Sequence, residues 1–142
     1  MLSIHDSQRL QGVHPVLIAA IEDIFGHMAQ AGAPMFVASG VRTVAQQQVL
    51  YAQGRTTPGR IVTYCDGVSS RSDHETEADG YGHAVDAAFI PTKEQPDPWA
   101  DHWPWSVFGQ EIVNAGMEWG GTFKQPADLD HVQYVPKGAL SI

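Results

Sequence analysis

One cysteine in 142 residues, Cys65, rules out an internal disulfide and agrees with a reducing compartment. Beside Asp66 and without a neighbouring cation it has nothing to stabilise a thiolate, so it reads as a packed or surface side chain rather than a nucleophile. Basic residues are also scarce: eight Lys and Arg against sixteen Asp and Glu give a net charge of −8, and no run of them occurs. That excludes nucleic acid as a partner, because phosphate neutralisation supplies most of such affinity, and it excludes a polybasic membrane-attaching tail. No apolar run approaches the ~18 residues of a membrane span. The start, MLSIHDSQRLQGVHP, has neither the basic n-region nor the continuous apolar stretch of a secretory signal, so the expectation is a protein without membrane insertion, made and held in a cytoplasm.

What is present describes one globular domain, since about 150 residues suffice for a single core and leave no room for a second. From His14 to Ala31 apolar residues recur at three- and four-residue steps, predicting an amphipathic helix with Pro15 in its first turn and Gly32 at its end. A strand is expected over 35–42, a helix from Val44 to Gln53, and a long loop rich in Gly, Pro, Ser and Thr over 54–82. Loops of that length are usually functional or disordered. HAVDAAFI at 83–90 reads as a strand, 105–116 as a helix, and MEWGGTF and HVQYV as the last strands. The fold class is α+β: a small, mainly antiparallel sheet flanked by helices.

The chemistry concentrates in SDHETEADGYGHAVD, residues 72–86, and DLDHVQ, residues 128–133. They offer His74, Asp86 and His131, with Asp128 three residues before the last imidazole. Three N and O ligands that leave one position open form the inventory of a catalytic zinc site, where zinc lowers the pKa of water to roughly 7 and a nearby carboxylate serves as general base. Asp86 lies in an apolar strand, where burial is costly unless the carboxylate is paired or coordinated. Its face carries only Ala84 and Ala88, which leaves room for a metal and a substrate, while the pleat turns His83, Val85 and Ala87 the other way. His83 therefore reads as a surface or supporting residue. Asp128 and His131 can approach one metal if the chain turns at Leu129, whereas Asp130 should point elsewhere. A capping or ion-paired Asp86 and an ordinary Asp-rich turn at 128–130 are the alternatives without chemistry. His5, His14, His27 and His102 have no spacing that suggests ligation.

In chain order, SGVRT at 39–43, LYAQGRTTPGRIVT at 50–63, Ser72-Asp-His74, GHAVD, WGG at 119–121 and Asp128-Xaa-Xaa-His131-Xaa-Gln133 resemble the zinc metallopeptidases that include D-alanyl-D-alanine carboxypeptidases and phage endolysins. The resemblance runs from about Leu10 to Gln133. It implies the α+β fold those enzymes share with the hedgehog signalling domain, one zinc ion on His74, Asp86 and His131, Asp128 as base, Arg42 as stabiliser of the oxyanion, and Ser72 as a substrate-contacting serine. Gln46, one helical turn after Arg42, can share that face and contact substrate, or else pack or face solvent. The commoner family spacing puts the first histidine seven residues before the aspartate, where this chain has Asp79; His74 stands twelve before Asp86. A five-residue insertion in ETEADGY accounts for the difference, with Asp79 and His83 as the alternatives for that metal position.

Within the family, a compact chain without a signal peptide is most similar to phage L-alanyl-D-glutamate endopeptidases, which cut the peptidoglycan stem peptide. The resemblance thus implies a monomeric catalytic domain over residues 1–142, with no separate wall-binding domain, held in the host cytoplasm until the membrane is permeabilised. Two rivals stand beside it: a D,D-carboxypeptidase or dipeptidase releasing D-alanine, and a binding module that keeps fold and zinc without catalysis. Asp128 and Arg42 argue against the second, because a structural zinc needs neither a base nor an oxyanion partner.

Overall fold

The computed structural model describes residues 2–63, 65–67, 72, 74–123 and 127–136. Its elements are α1 (Ile4–Arg9), α2 (Pro15–Gln30), β1 (Met35–Ser39), α3 (Val44–Ala52), β2 (Ala84–Phe89), α4 (Trp105–Asn114), β3 (Glu118–Trp119) and β4 (His131–Gln133), with a 3-10 turn at Gly120–Thr122. The strands form one sheet of order β1-β2-β4-β3, with every pairing antiparallel.

Helix α2 forms as its periodicity predicts. Pro15 pre-sets the first turn, the His14 ring accepts from the Val16 N–H at 3.1 Å, and Gly32 takes up the left-handed conformation just past the end (φ 82°). Leu17, Ile21, Ile24 and Met28 share the stripe that packs on the sheet, where they meet Val37, Val85, Ala87 and Phe89, while Phe108 and Ile112 of α4 close the core. β2 is buried on both faces. Its Val85, Ala87 and Phe89 belong to this core, and Asp86 belongs to the opposite face.

Helix α1 is the element that periodicity does not announce, because six residues are too few to show a stripe. Ser3 caps it by accepting from the Asp6 N–H at 3.0 Å. Its task is at the sheet's edge: the outward Val37 N–H of β1 donates to Asp6 Oδ1 at 2.8 Å, and the Val37 carbonyl accepts from Arg9 at 3.0 Å. Both outward backbone groups of Val37 are thereby satisfied and shielded.

Other boundaries differ from expectation. β1 ends at Ser39, after a register shift between Val37 and Ser39 that bends the strand toward the cleft. Of MEWGGTF only Glu118–Trp119 pairs as strand, and the two glycines turn instead. The described residues of the long loop contain only isolated bridges; residues 64, 68–71 and 73 lie outside the description. No helix among the described residues is long and apolar enough to cross a membrane.

Asp6 is buried at 5% exposure, so its loss strands the Val37 N–H. Asp6→Ala is expected to lower unfolding free energy by roughly 1–3 kcal/mol in urea denaturation. An unchanged midpoint would refute the edge-covering role.

Candidate metal centre

Asp86 of β2 and His131 of β4 are directly opposed partners across the antiparallel pair, which puts both side chains on one face. His74 arrives from the long loop and is locked by the end of β1. The Arg42 N–H donates to the His74 carbonyl at 2.7 Å, and the His74 ring bonds the Gly40 carbonyl through Nδ1 at 2.9 Å. Ser72 and Glu75 fix the turn that carries it: the His74 N–H donates to Ser72 Oγ at 3.2 Å and the Ser72 N–H to Glu75 Oε1 at 2.9 Å.

The tautomers follow from these partners. A carbonyl oxygen only accepts, so His74 carries its proton on Nδ1 and turns the Nε2 lone pair to Asp86. His131 is held the other way round. Its Nε2 bonds Gln133 Oε1 at 2.9 Å, and the Gln133 amide is oriented in turn by donating to Glu118 at 3.2 Å, so Nδ1 faces Asp86. Both ring nitrogens lie 3.3 Å from the same oxygen, Asp86 Oδ1. The other oxygen, Oδ2, accepts from Arg42 at 2.9 Å.

These three donors fit a metal ion. Two ligands each about 2.0–2.1 Å from a tetrahedral zinc stand roughly 3.3 Å apart, which is the separation found on both sides of Asp86. His74 Nε2 and Asp86 Oδ1 are buried and have no hydrogen-bond partner, an arrangement that an ion resolves. Burial alone would raise the Asp86 pKa, but the two imidazoles, His74 first, hold its carboxyl well below the usual range. Burial alone would lower His131, and the bond to Asp86 with its charge raises it instead.

Glycines permit the close approach of the parts. A side chain at Gly120 would run into the Asp128 carbonyl and come within 2.7 Å of His131 Cβ, so the 128–131 turn folds over a position that only glycine can fill. That turn is tied down by Asp128 N–H to the Gly120 carbonyl at 2.8 Å and Trp119 Nε1 to the Leu129 carbonyl at 2.8 Å.

Asp128 borders the three donors, with Oδ2 3.8 Å from His131 Nδ1 and the side chain 43% exposed. His83 is turned away as the pleat requires, though it is buried rather than on the surface, with Nε2 2.7 Å from Asp79 Oδ2. Asp79 is thereby paired outside the centre. Two expectations need correction. Asp130 does not point elsewhere: it lines the same cleft, it can approach a common point with Asp86 and Asp128, and Trp99 Nε1 donates to it at 3.1 Å. Burial, then the bond to Asp128 and the charges of Asp86 and Asp128, push its carboxyl up to about 10. Gln46 does not line the metal cleft, because its amide closes a capping box with Thr43 (2.8 and 3.1 Å). The buried neighbour Gln47 touches Arg42 instead, at 3.0 Å, and its amide nitrogen bonds Thr63 Oγ1 at 3.1 Å and the Cys65 carbonyl at 2.8 Å. The Thr43-Xaa-Xaa-Gln46 pattern is a capping signature legible in the sequence, and it would have reassigned the two glutamines.

Similarity to known proteins accords with this geometry. No protein-family model matches the chain. The peptidoglycan L-alanyl-D-glutamate endopeptidase CwlK of Bacillus subtilis (strain 168) is 27% identical over 124 residues, 87% of this chain and 74% of that protein. Among solved structures, the L-Ala D-Glu endopeptidase ChiX of Serratia marcescens shares the fold of this chain with a TM-score of 0.63 and 23% identity, over 94% of this chain and 89% of that one. The vancomycin-resistance D,D-pentapeptidase VanY, solved in complex with Zn(II), matches at TM-score 0.58 and 16% identity, over 87% of this chain and 73% of that one.

If these three donors hold zinc, His74→Ala is expected to abolish most zinc retention, while His83→Ala and Asp79→Ala keep the metal. Zinc content of the three purified variants decides it; a metal-free His83→Ala beside a metal-replete His74→Ala would reassign the ligand. Gly120→Ala is expected to weaken zinc retention as well, by displacing the turn that carries His131.

Proposed function

We propose that this chain is a zinc-dependent peptidoglycan endopeptidase that cuts the stem peptide between L-alanine and D-glutamate, in the manner of a phage endolysin. The observation that carries the reading is the convergence of His74, Asp86 and His131 with Asp128 beside them in a cleft of about 810 Å³. The similarity to CwlK supports the choice of bond.

In this reading His74 (Nε2), Asp86 (Oδ1) and His131 (Nδ1) hold the zinc, and their neutral or anionic forms are the ones that the surrounding hydrogen bonds maintain. Zinc held there is a Lewis acid that polarises the peptide carbonyl and lowers the pKa of water to about 7. Asp128 accepts the proton of the attacking water and delivers it to the departing amine as the C–N bond breaks, so one water is consumed and one carboxyl and one amine appear. Arg42 uses two of its five N–H donors on Gln47 and Asp86, and the remainder place positive charge at the developing oxyanion. Ser72, buried in the cleft wall, contacts the substrate and also sets the turn that carries His74.

Asp128→Asn is expected to retain zinc and to lower turnover by at least about 10², since the base is lost while all three ligands remain. Digestion of purified peptidoglycan followed by mass spectrometry of the new termini tests the reading as a whole. New amino-terminal glutamate is the expected product. Release of D-alanine alone would make the enzyme a carboxypeptidase, and no release with zinc bound would make it a binding module.

A further inference from the structure

We propose that Arg60 recognises a substrate carboxylate on the leaving-amine side of the scissile bond, and so makes the cleft select an acidic residue after alanine. The inference rests on the endopeptidase reading and adds a specificity residue to it. The cleft carries the carboxylates of Asp86 and Asp128 in a chain of net charge −8, so an anionic peptide is repelled unless a cation receives it. Among the described residues two cations line the cleft, Arg42 and Arg60. Arg42 is engaged by Gln47 and Asp86. Among the described residues, the guanidinium of Arg60 meets neither an ion-pair nor a hydrogen-bond partner.

The loop around Arg60 is built to hold it there. The Arg60 carbonyl accepts from Gln53 Nε2 at 3.0 Å, and Gly54 N–H bonds the Thr57 carbonyl at 2.9 Å. Gly54 (φ 80°) lets Ile61 approach, since a Cβ there would stand 2.8 Å from the Ile61 nitrogen, and Gly59 (φ 122°) likewise admits the Gln53 side chain at 2.8 Å. The same loop folds its other arginine back: Arg55 donates to the Tyr51 carbonyl at 2.7 Å and lies over the Tyr51 ring at 3.9 Å. One arginine thus serves the fold and the other faces the cleft.

The substrate chemistry supplies the counterpart. A glutamate that follows the cut bond has its amine in the scissile amide and continues the chain through one carboxyl, which leaves its second carboxyl as an anion close to the reacting carbon. A guanidinium matches that group with two parallel N–H···O bonds. A carboxyl-terminal D-alanine would present the same carboxylate chemistry, so the test must separate the two sources.

The zinc-loaded full chain is assayed on two muramyl peptides that differ only in whether the free glutamate carboxyl is an acid or an amide. The acid is expected to show a KM about tenfold lower than the amide. Arg60→Ala should raise KM for the acid about tenfold, with kcat and the amide's KM unchanged, and Arg60→Lys should recover part of the preference. Equal losses on both substrates, or a fall in kcat alone, overturn the assignment. Calorimetry with the cleavage product that begins with glutamate, and with its amide, needs no turnover. Arg60-dependent binding of the acid without cleavage would sink the endopeptidase reading and leave Arg60 in its role; equal binding of acid and amide would remove Arg60 whatever bond is cut. A pentapeptide ending in D-alanine and its terminal amide form the last pair, and Arg60 dependence confined to that pair overturns the glutamate assignment in favour of the chain terminus.

Discussion

The buried carboxylate of Asp86 is the interaction on which the rest depends. One oxygen receives Arg42, and the other stands 3.3 Å from an imidazole nitrogen on each side. A lone charge in the middle strand of a sheet would be strongly unfavourable, and it is tolerated here because a guanidinium and two imidazoles surround it. The strand must be apolar to build the core with Val85, Ala87 and Phe89, and it must carry an acid to build the centre. Period-two alternation lets six residues do both.

Around this carboxylate the supporting groups act mainly by orientation. The Gly40 carbonyl and the Gln133 amide decide which nitrogen of each histidine is free, and Glu118 decides which way the Gln133 amide points. Gly40 is placed under a second constraint, since a side chain there would collide with the Arg9 carbonyl of α1. The helix that covers the sheet edge and the carbonyl that orients His74 are therefore parts of one packing arrangement, so damage to the edge is transmitted to His74.

Much of this was legible in the sequence and some was not, for physical reasons that differ by residue. Asp86 stood out as an acid in an apolar run, and the pleat placed His83 away from it. His131 followed from the turn before β4. The orientation of Asp130 is not legible from strand alternation, which does not begin until His131; residues 129 and 130 are still in the turn, where adjacent side chains can converge. Gln46 and Gln47 differ by one helical step, and only the capping box tells which amide is already committed. Helix α1 is held by side-chain bonds to β1, contacts between residues about thirty apart that a local pattern does not encode.

The segment between His74 and Asp86 has a last implication. Its ends are anchored, by the Arg42 bond to the His74 carbonyl and by Gly82, whose N–H meets the Gly12 carbonyl at 2.9 Å and whose carbonyl accepts from His14 at 2.9 Å. Between these anchors, Glu77 to Tyr81 form a tight exposed turn that contributes no group to the centre, and lengthening such a turn costs only logarithmically in chain entropy. The distance along the chain from His74 to Asp86 is therefore a free variable of this fold. Their 3.3 Å separation in space is not.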